Sequence, residues 1–212
     1  MINDLTLFNY EYIDNHAKRT LFLLHGTGGN KHDLLFFDDL LTQKYNLVGL
    51  EGNILENGMP RFFKRHVTGV FDQESLKIET QKLHLFIRSW CIEYAIEPSS
   101  CSFLGYSNGA NMLLATLLFY PSYFKLVLLL HPMMPFPENK SEPNLSGRAC
   151  FVSIGTSDTV ISPTQGALVS DFLRKRGAEV TFKAYPSGHE VIEKELSDCC
   201  EFLEYNTPSV GR

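Results

Sequence analysis

Gly105-Tyr106-Ser107-Asn108-Gly109 is the stretch on which the fold of this chain turns. It has the form G-x-S-x-G, and its flanks give the pattern meaning. Cys101-Ser102-Phe103-Leu104 leads into it as an apolar, strand-like run, and residues 110–119 follow as a segment apolar enough for a buried helix. Strand, sharp turn and helix form the setting in which a serine is held on a strained backbone with its hydroxyl pushed out of the sheet. Side chains in place of the two glycines would collide with the neighbouring strand or helix. Such a short pattern also arises by accident, as a glycine-bounded loop with an incidental serine. Its partners must therefore come from elsewhere in the chain.

Outward from the pentapeptide, strand-like and helix-like segments alternate. Strands are expected over residues 5–12, 20–24, 46–50, 101–104, 125–130, 149–154 and 180–185. Further helices are expected over 74–94, 163–176 and 190–205. Thr20-Leu21-Phe22-Leu23-Leu24 is apolar throughout, as in a strand covered on both faces. Leu76, Leu83, Phe86, Ile87 and Trp90 recur near helical spacing. Pro163 opens one helix, and Gly177 follows its basic last turn. The alternation implies right-handed crossovers and a mostly parallel central sheet with helices on both faces. A chain of 212 residues suits one such α/β domain. Two long loops, 54–73 and 132–148, interrupt the pattern, and loops of that length are often functional.

In a parallel sheet, ligands bind beyond the carboxyl ends of the strands. There the chain delivers His25-Gly26-Thr27-Gly28-Gly29, then Ser107, then His131-Pro132-Met133-Met134, then Gly155-Thr156-Ser157-Asp158, and last Pro186-Ser187-Gly188-His189. Serine, acid and histidine arrive in the order of an α/β-hydrolase triad. In that reading Ser107 is the nucleophile, His189 its general base and later acid, and Asp158 the group that orients the imidazole. The backbone N–H of Asn108 and one from the glycine-rich loop, that of Thr27, form the oxyanion hole. His25 is read as structural, since no second base is needed.

Composition narrows the alternatives. Hydrophobic content of 44%, charged content of 20% and a net charge of −5 describe an ordinary globular protein without a nucleic-acid surface. The first residues read as no signal peptide, and the longest apolar runs are too short to span a bilayer. Five cysteines without a Cys-x-x-Cys pattern suggest reduced thiols and a cytoplasmic location. The glycines after His25 are not followed by Gly-Lys-Ser/Thr, so no Walker loop is present. His25, His32 and Asp33 match no strong metal spacing, and His32-Asp33 reads as the start of a helix. His66 and His84 read as ordinary surface or helical residues. The expected chemistry needs neither metal nor cofactor.

With these residues in place, the chain resembles bacterial carboxylesterases of the phospholipase/carboxylesterase group, especially small hydrolases linked to quinone and electrophile stress. The stretches that carry the resemblance are residues 23–34, Gly52-Asn53-Ile54-Leu55-Glu56-Asn57-Gly58-Met59, Arg61-Phe62-Phe63-Lys64-Arg65, residues 105–111 and His131-Pro132-Met133. It implies an α/β-hydrolase fold without a large cap, with Ser107, Asp158 and His189 as the triad. Relatives commonly carry arginine where this chain has Glu51, which bears on any anion-binding role of that corner. Phe62, Phe63, Met133, Met134, Phe136 and Val160 are expected to wall an apolar substrate site. Short carboxylic esters are the expected substrates, and membrane insertion is not expected. A thioesterase or lysophospholipase would use the same machinery. A non-catalytic binding protein of this fold would usually have lost a triad member. Exposed apolar loop residues leave room for a homodimer.

Overall fold

The computed structural model describes residues 4–67, 69–136 and 143–207. Its centre is a seven-stranded sheet of order β1-β3-β2-β8-β9-β10-β11. The strands are β1 (Asn9–Ile13), β2 (Thr20–Leu24), β3 (Asn46–Glu51), β8 (Cys101–Tyr106), β9 (Leu126–Leu130), β10 (Ala149–Gly155) and β11 (Glu179–Tyr185). All neighbours run parallel except β1, which pairs antiparallel with β3 at the edge. Two small antiparallel hairpins follow β3: β4 (Ile54–Glu56) with β5 (Met59–Arg61), and β6 (Arg65–Val67) with β7 (Val70–Phe71). The loop expected over 54–73 is thus folded onto itself rather than irregular.

The helices are α1 (Phe37–Leu40), α2 (Gln73–Glu93), α3 (Asn108–Phe119), α4 (Thr164–Lys175) and α5 (Glu193–Asn206). Successive side chains of a strand face opposite ways, and here both faces are covered. Phe22, Leu24, Phe103, Val127 and Val152 pack with Leu76, Leu83, Leu113 and Val169 of α2, α3 and α4. Leu21, Leu23, Leu104, Leu128 and Phe151 pack with Phe37, Cys199, Phe202 and Leu203 of α1 and α5. This two-sided burial explains why the central strands are apolar without alternation. Asp72 caps α2, its carboxylate accepting the N–H of Ser75 at 3.0 Å. Gly177, at φ +91°, ends the α4 segment after Arg174 and Lys175.

Two expectations shift. Residues 4–7 form a 3-10 turn, not the start of a strand, because Leu5 and Phe8 turn into the core instead of alternating. His32 and Asp33 lie in a run of turns, and the short helix α1 begins only at Phe37. Part of the second long loop, residues 137–142, lies outside the described residues.

Candidate functional site

The strand β8 lies in the middle of the sheet, so its carboxyl end opens at the centre of the fold. Ser107 follows it with φ +52° and ψ −110°, a sparsely populated conformation for a residue with a side chain. The turn is held from both sides: Ser107 N–H donates to the Leu130 carbonyl at 2.8 Å, and Gly109 N–H to the His25 carbonyl at 3.1 Å. A Cβ on Gly109 would run into the carbonyls of Leu24 and His25. One on Gly105 would run into the backbone of Gly109 and Ala110. The glycines expected to permit a tight elbow do so through close backbone approach.

Residues distant in sequence meet at this point. Ser107 Oγ lies 3.0 Å from His189 Nε2. His189 Nδ1 lies 2.7 Å from Asp158 Oδ2, so with Nδ1 protonated the imidazole donates to the carboxylate and leaves Nε2 free to accept from Ser107. The loop that carries His189 is anchored by Tyr106, whose hydroxyl donates to the His189 carbonyl at 2.7 Å. The other oxygen of Asp158 accepts the N–H groups of Val160 at 2.8 Å and Ile161 at 2.9 Å. Burial alone would raise the pKa of Asp158. The hydrogen bonds from Ile161, His189, His131 and Val160 outweigh it and bring the value down to about 2.

That shift has a measurable consequence. A carboxyl with a lowered folded-state pKa stabilises the fold above its ordinary value of 3.8 and loses that contribution as pH falls toward about 2. For this buried group the contribution is on the order of 2 kcal/mol. Melting temperatures recorded between pH 5 and pH 2 are expected to fall less steeply for Asp158→Asn than for the native protein. Parallel profiles would show that Asp158 is not among the groups that drive acid unfolding.

A second histidine shares the same carboxylate. His131 is fully buried at the end of β9, with φ +51°. Its Nδ1 lies 3.1 Å from Asp158 Oδ2, and its Nε2 lies 3.4 Å from Glu195 Oε2. Glu195 is itself fully buried and accepts from the Ser153 hydroxyl at 2.5 Å. Burial disfavours a charge on His131, but Glu195 and then Asp158 more than compensate, and its pKa stands above the ordinary histidine value. His131, Asp158 and His189 also bring ligand atoms close enough to suggest a metal. The 2.7 and 3.1 Å separations are those of two N–H groups donating to one carboxylate oxygen.

The cavity in front of Ser107 has a volume of about 230 Å³. Thr27 and Asn108, the expected oxyanion donors, both line it, as do Met133 and Val160 from the expected substrate wall. The side-chain carbonyl of Asn108 is occupied, accepting the N–H of Phe62 at 2.8 Å. Met134 and Phe136 line an adjoining apolar depression that shares Gly69, Phe71 and Met133 with the first. Phe62 and Phe63 are a correction. Both are fully buried, Phe62 against His25 at 4.9 Å and Phe63 against Phe71 at 5.0 Å, and neither reaches the cavity. The hairpin segment turns its apolar rings into the core and presents its cations, Arg61 and Arg65, to the cavity. Arg61 Nη1 donates to Thr27 Oγ1 at 2.6 Å.

His25 is structural, as expected. Its Nδ1 lies 2.5 Å from the Gly26 carbonyl, and its Nε2 accepts Gly52 N–H at 3.0 Å, while burial lowers its pKa and favours the neutral ring. The sequence reading assigned no role to His131, Glu195, Arg61 or Arg65. His131 had one signal, its place at the end of a strand next to that of Ser107. Glu195, on a helix among other acidic residues, had none.

The fold agrees with comparisons to known proteins. A Bacillus subtilis (strain 168) protein named as a hydrolase, MhqD, is 34% identical over 193 residues, 91% of this chain and 96% of that protein. A carboxylesterase from Bacillus cereus superposes with a TM-score of 0.89 at 32% identity, covering 94% of this chain and 95% of that one. A carboxylesterase from Mesorhizobium loti gives 0.87 at 28% identity, over 93% and 95% of the two chains. Residues 10–207 match the family described as Phospholipase/Carboxylesterase. With its parallel sheet and a serine elbow at the sheet's centre, the chain belongs to that family and is a hydrolase of the α/β-hydrolase fold.

Proposed function

We propose that this protein hydrolyses short carboxylic esters through a Ser107–His189–Asp158 triad and an acyl-enzyme intermediate. The observation that carries the reading is the continuous hydrogen-bond path from Ser107 Oγ through His189 to Asp158, opening on a cavity. Ser107 Oγ attacks the ester carbonyl carbon as His189 Nε2 takes its proton. The carbonyl oxygen becomes an oxyanion and is received by the backbone N–H groups of Thr27 and Asn108, each such donor being worth roughly 3 kcal/mol. The C–O bond to the alcohol then breaks, and the imidazolium returns its proton to the departing alkoxide. Water, deprotonated by His189, attacks the acyl-serine. The acid leaves, and Ser107 recovers its proton. Asp158 stabilises the imidazolium in both halves without taking its proton.

The volume of about 230 Å³ favours small acyl groups, since drug-sized ligands occupy roughly 300 Å³ or more. A longer chain must pass Met133 and Phe71 into the adjoining depression. Among the described residues no helix is long and apolar enough to cross a membrane. Five cysteines without a Cys-x-x-Cys pattern suit a reducing, cytoplasmic setting.

The test is a p-nitrophenyl ester series from acetate to dodecanoate, with fluorophosphonate labelling mapped by mass spectrometry. The probe is expected on Ser107, and kcat/KM is expected to peak at four carbons or fewer and to fall about tenfold or more by the long chains. A folded protein that takes no label at Ser107 would be a binding module rather than an esterase. A peak at twelve carbons would move the assignment to lipid-like or acyl-protein substrates.

A further inference from the structure

The cavity in front of Ser107 has one charge too many on one side. Among the described residues, the ionisable side chains lining it besides His189 and the neutral phenol of Tyr106 are Arg61 and Arg65. Both turn to a single carboxylate: Glu56 Oε1 lies 2.9 Å from Arg65 Nε, and Glu56 Oε2 lies 3.4 Å from Arg61 Nε. Two guanidinium groups and one carboxylate leave a net positive charge at the cavity wall. The Arg61 side chain is 3% exposed and that of Arg65 is 24% exposed. A shielded surplus of positive charge is costly, and the cost registers on Arg61. Burial, then the like charge of Arg65, lower its pKa to about 10.

The free donors of this pair are available to a ligand. Arg61 commits Nη1 to Thr27 Oγ1 and Nε to the Phe63 carbonyl, and Arg65 commits Nε to Glu56. Among the described residues, Arg61 Nη2 and both Nη groups of Arg65 have no hydrogen-bond partner. A carboxylate is the planar acceptor that such donors match, singly or in pairs. The contact of Arg61 with Thr27 also fixes which half of a substrate this group meets. The alcohol departs toward His189, which returns its proton, while Thr27 is at the carbonyl oxygen. A cation beside Thr27 faces the acyl half.

We infer that Arg61 and Arg65 form an anion subsite, and that the substrates are esters whose acyl part carries a carboxylate, half-esters of short dicarboxylic acids. This rests on the esterase reading above and narrows its substrate class. Negative charge on the acyl group supplies the missing partner, and the field of the pair raises its local concentration at the cavity mouth. The preference is expected to weaken as salt is added, because Arg65 is partly exposed.

The experiment compares monoethyl glutarate with ethyl butyrate by pH-stat titration, in the native protein and in Arg65→Gln. The native protein is expected to favour the half-ester by about tenfold or more in kcat/KM, and Arg65→Gln to lower that ratio by about tenfold. A native ratio near one, or a ratio that Arg65→Gln leaves in place with circular dichroism unchanged, overturns the subsite. A second arm needs no turnover: glutarate is expected to raise the melting temperature of the native protein and not that of Arg65→Gln. Glutarate binding through Arg65 with both esters inert would retain the subsite and discard the esterase. Hydrolysis without preference and without a glutarate shift would retain the esterase and discard the subsite.

Discussion

Ser107→Ala is expected to lower turnover of p-nitrophenyl acetate by on the order of 10⁴ to 10⁶-fold while leaving the unfolding transition in place. The size follows from what the hydroxyl does. In the proposed mechanism it attacks the carbonyl with a base already at hydrogen-bond distance, 3.0 Å away. Without it, water must be activated by the same histidine at a site shaped for an acyl-serine, and the oxyanion donors and substrate binding are all that remain. The fold should tolerate the change. The structural bonds of Ser107 run through its backbone, to Leu130 and Asn111, and alanine keeps both. The strained backbone at φ +52° is shared by the two variants, so the difference isolates the hydroxyl. Activity within tenfold of the native value, in a protein with native melting behaviour, would remove Ser107 as nucleophile.

The second large effect concerns His131. His131→Ala is expected to destabilise the protein by about 3 kcal/mol, or roughly 6 to 12 °C in melting temperature. Removing the imidazole leaves Glu195, buried with Ser153 as its remaining hydrogen-bond partner, without its cation. It also takes one donor from Asp158. Breaking one side of a buried pair costs more than the pair contributes, because the orphaned charge stays desolvated. The double variant His131→Leu/Glu195→Met is therefore expected to be more stable than the sum of the single losses, and a double-mutant cycle measures that coupling. The pH dependence has a definite sign. His131 has a raised folded-state pKa, so its charged form stabilises the fold fully below the ordinary value of 6.5. That contribution disappears as pH rises through the elevated value. Chemical denaturation between pH 6 and pH 10 should show a decline in the native protein that His131→Ala lacks. Additive single and double losses, or a flat alkaline limb, would contradict the charged bridge.

Much of this was legible in the chain because it follows from local pattern. The apolar runs at 20–24, 126–130 and 149–155 become central strands since both faces are covered, and that demand is visible in each run separately. Ser107, Asp158 and His189, linked by hydrogen-bond distances along one path, are singled out by their strand ends, which depend only on counting elements. The pocket was less legible. Phe62 and Phe63 were expected to face substrate because aromatic side chains in a loop suggest a wall. In the folded chain the hairpins give them a core to enter, which is worth roughly 2 kcal/mol or more per ring. Arg61, flanked by apolar residues, was hidden by the same logic in reverse. No local pattern says that a guanidinium will be buried beside Thr27, because Thr27 comes from a different loop, 34 residues away. Glu195 was the least legible of all, since its partners Ser153 and His131 stand 42 and 64 residues away.

The way the site is parcelled among strand ends bears on how activity is lost. The working parts proposed for it stand at positions 27, 61, 107, 158 and 189, each delivered by a different segment of the chain. No proteolytic fragment that stops short of residue 189 contains them all, and no single hairpin or helix pair can hold two of them at reacting distance alone. Catalysis is thereby tied to the cooperative state of the entire sheet. Turnover of a chromogenic ester becomes a readout of native population. During denaturant titration, the loss of rate should track the loss of sheet signal, with no partly folded species that still cleaves substrate.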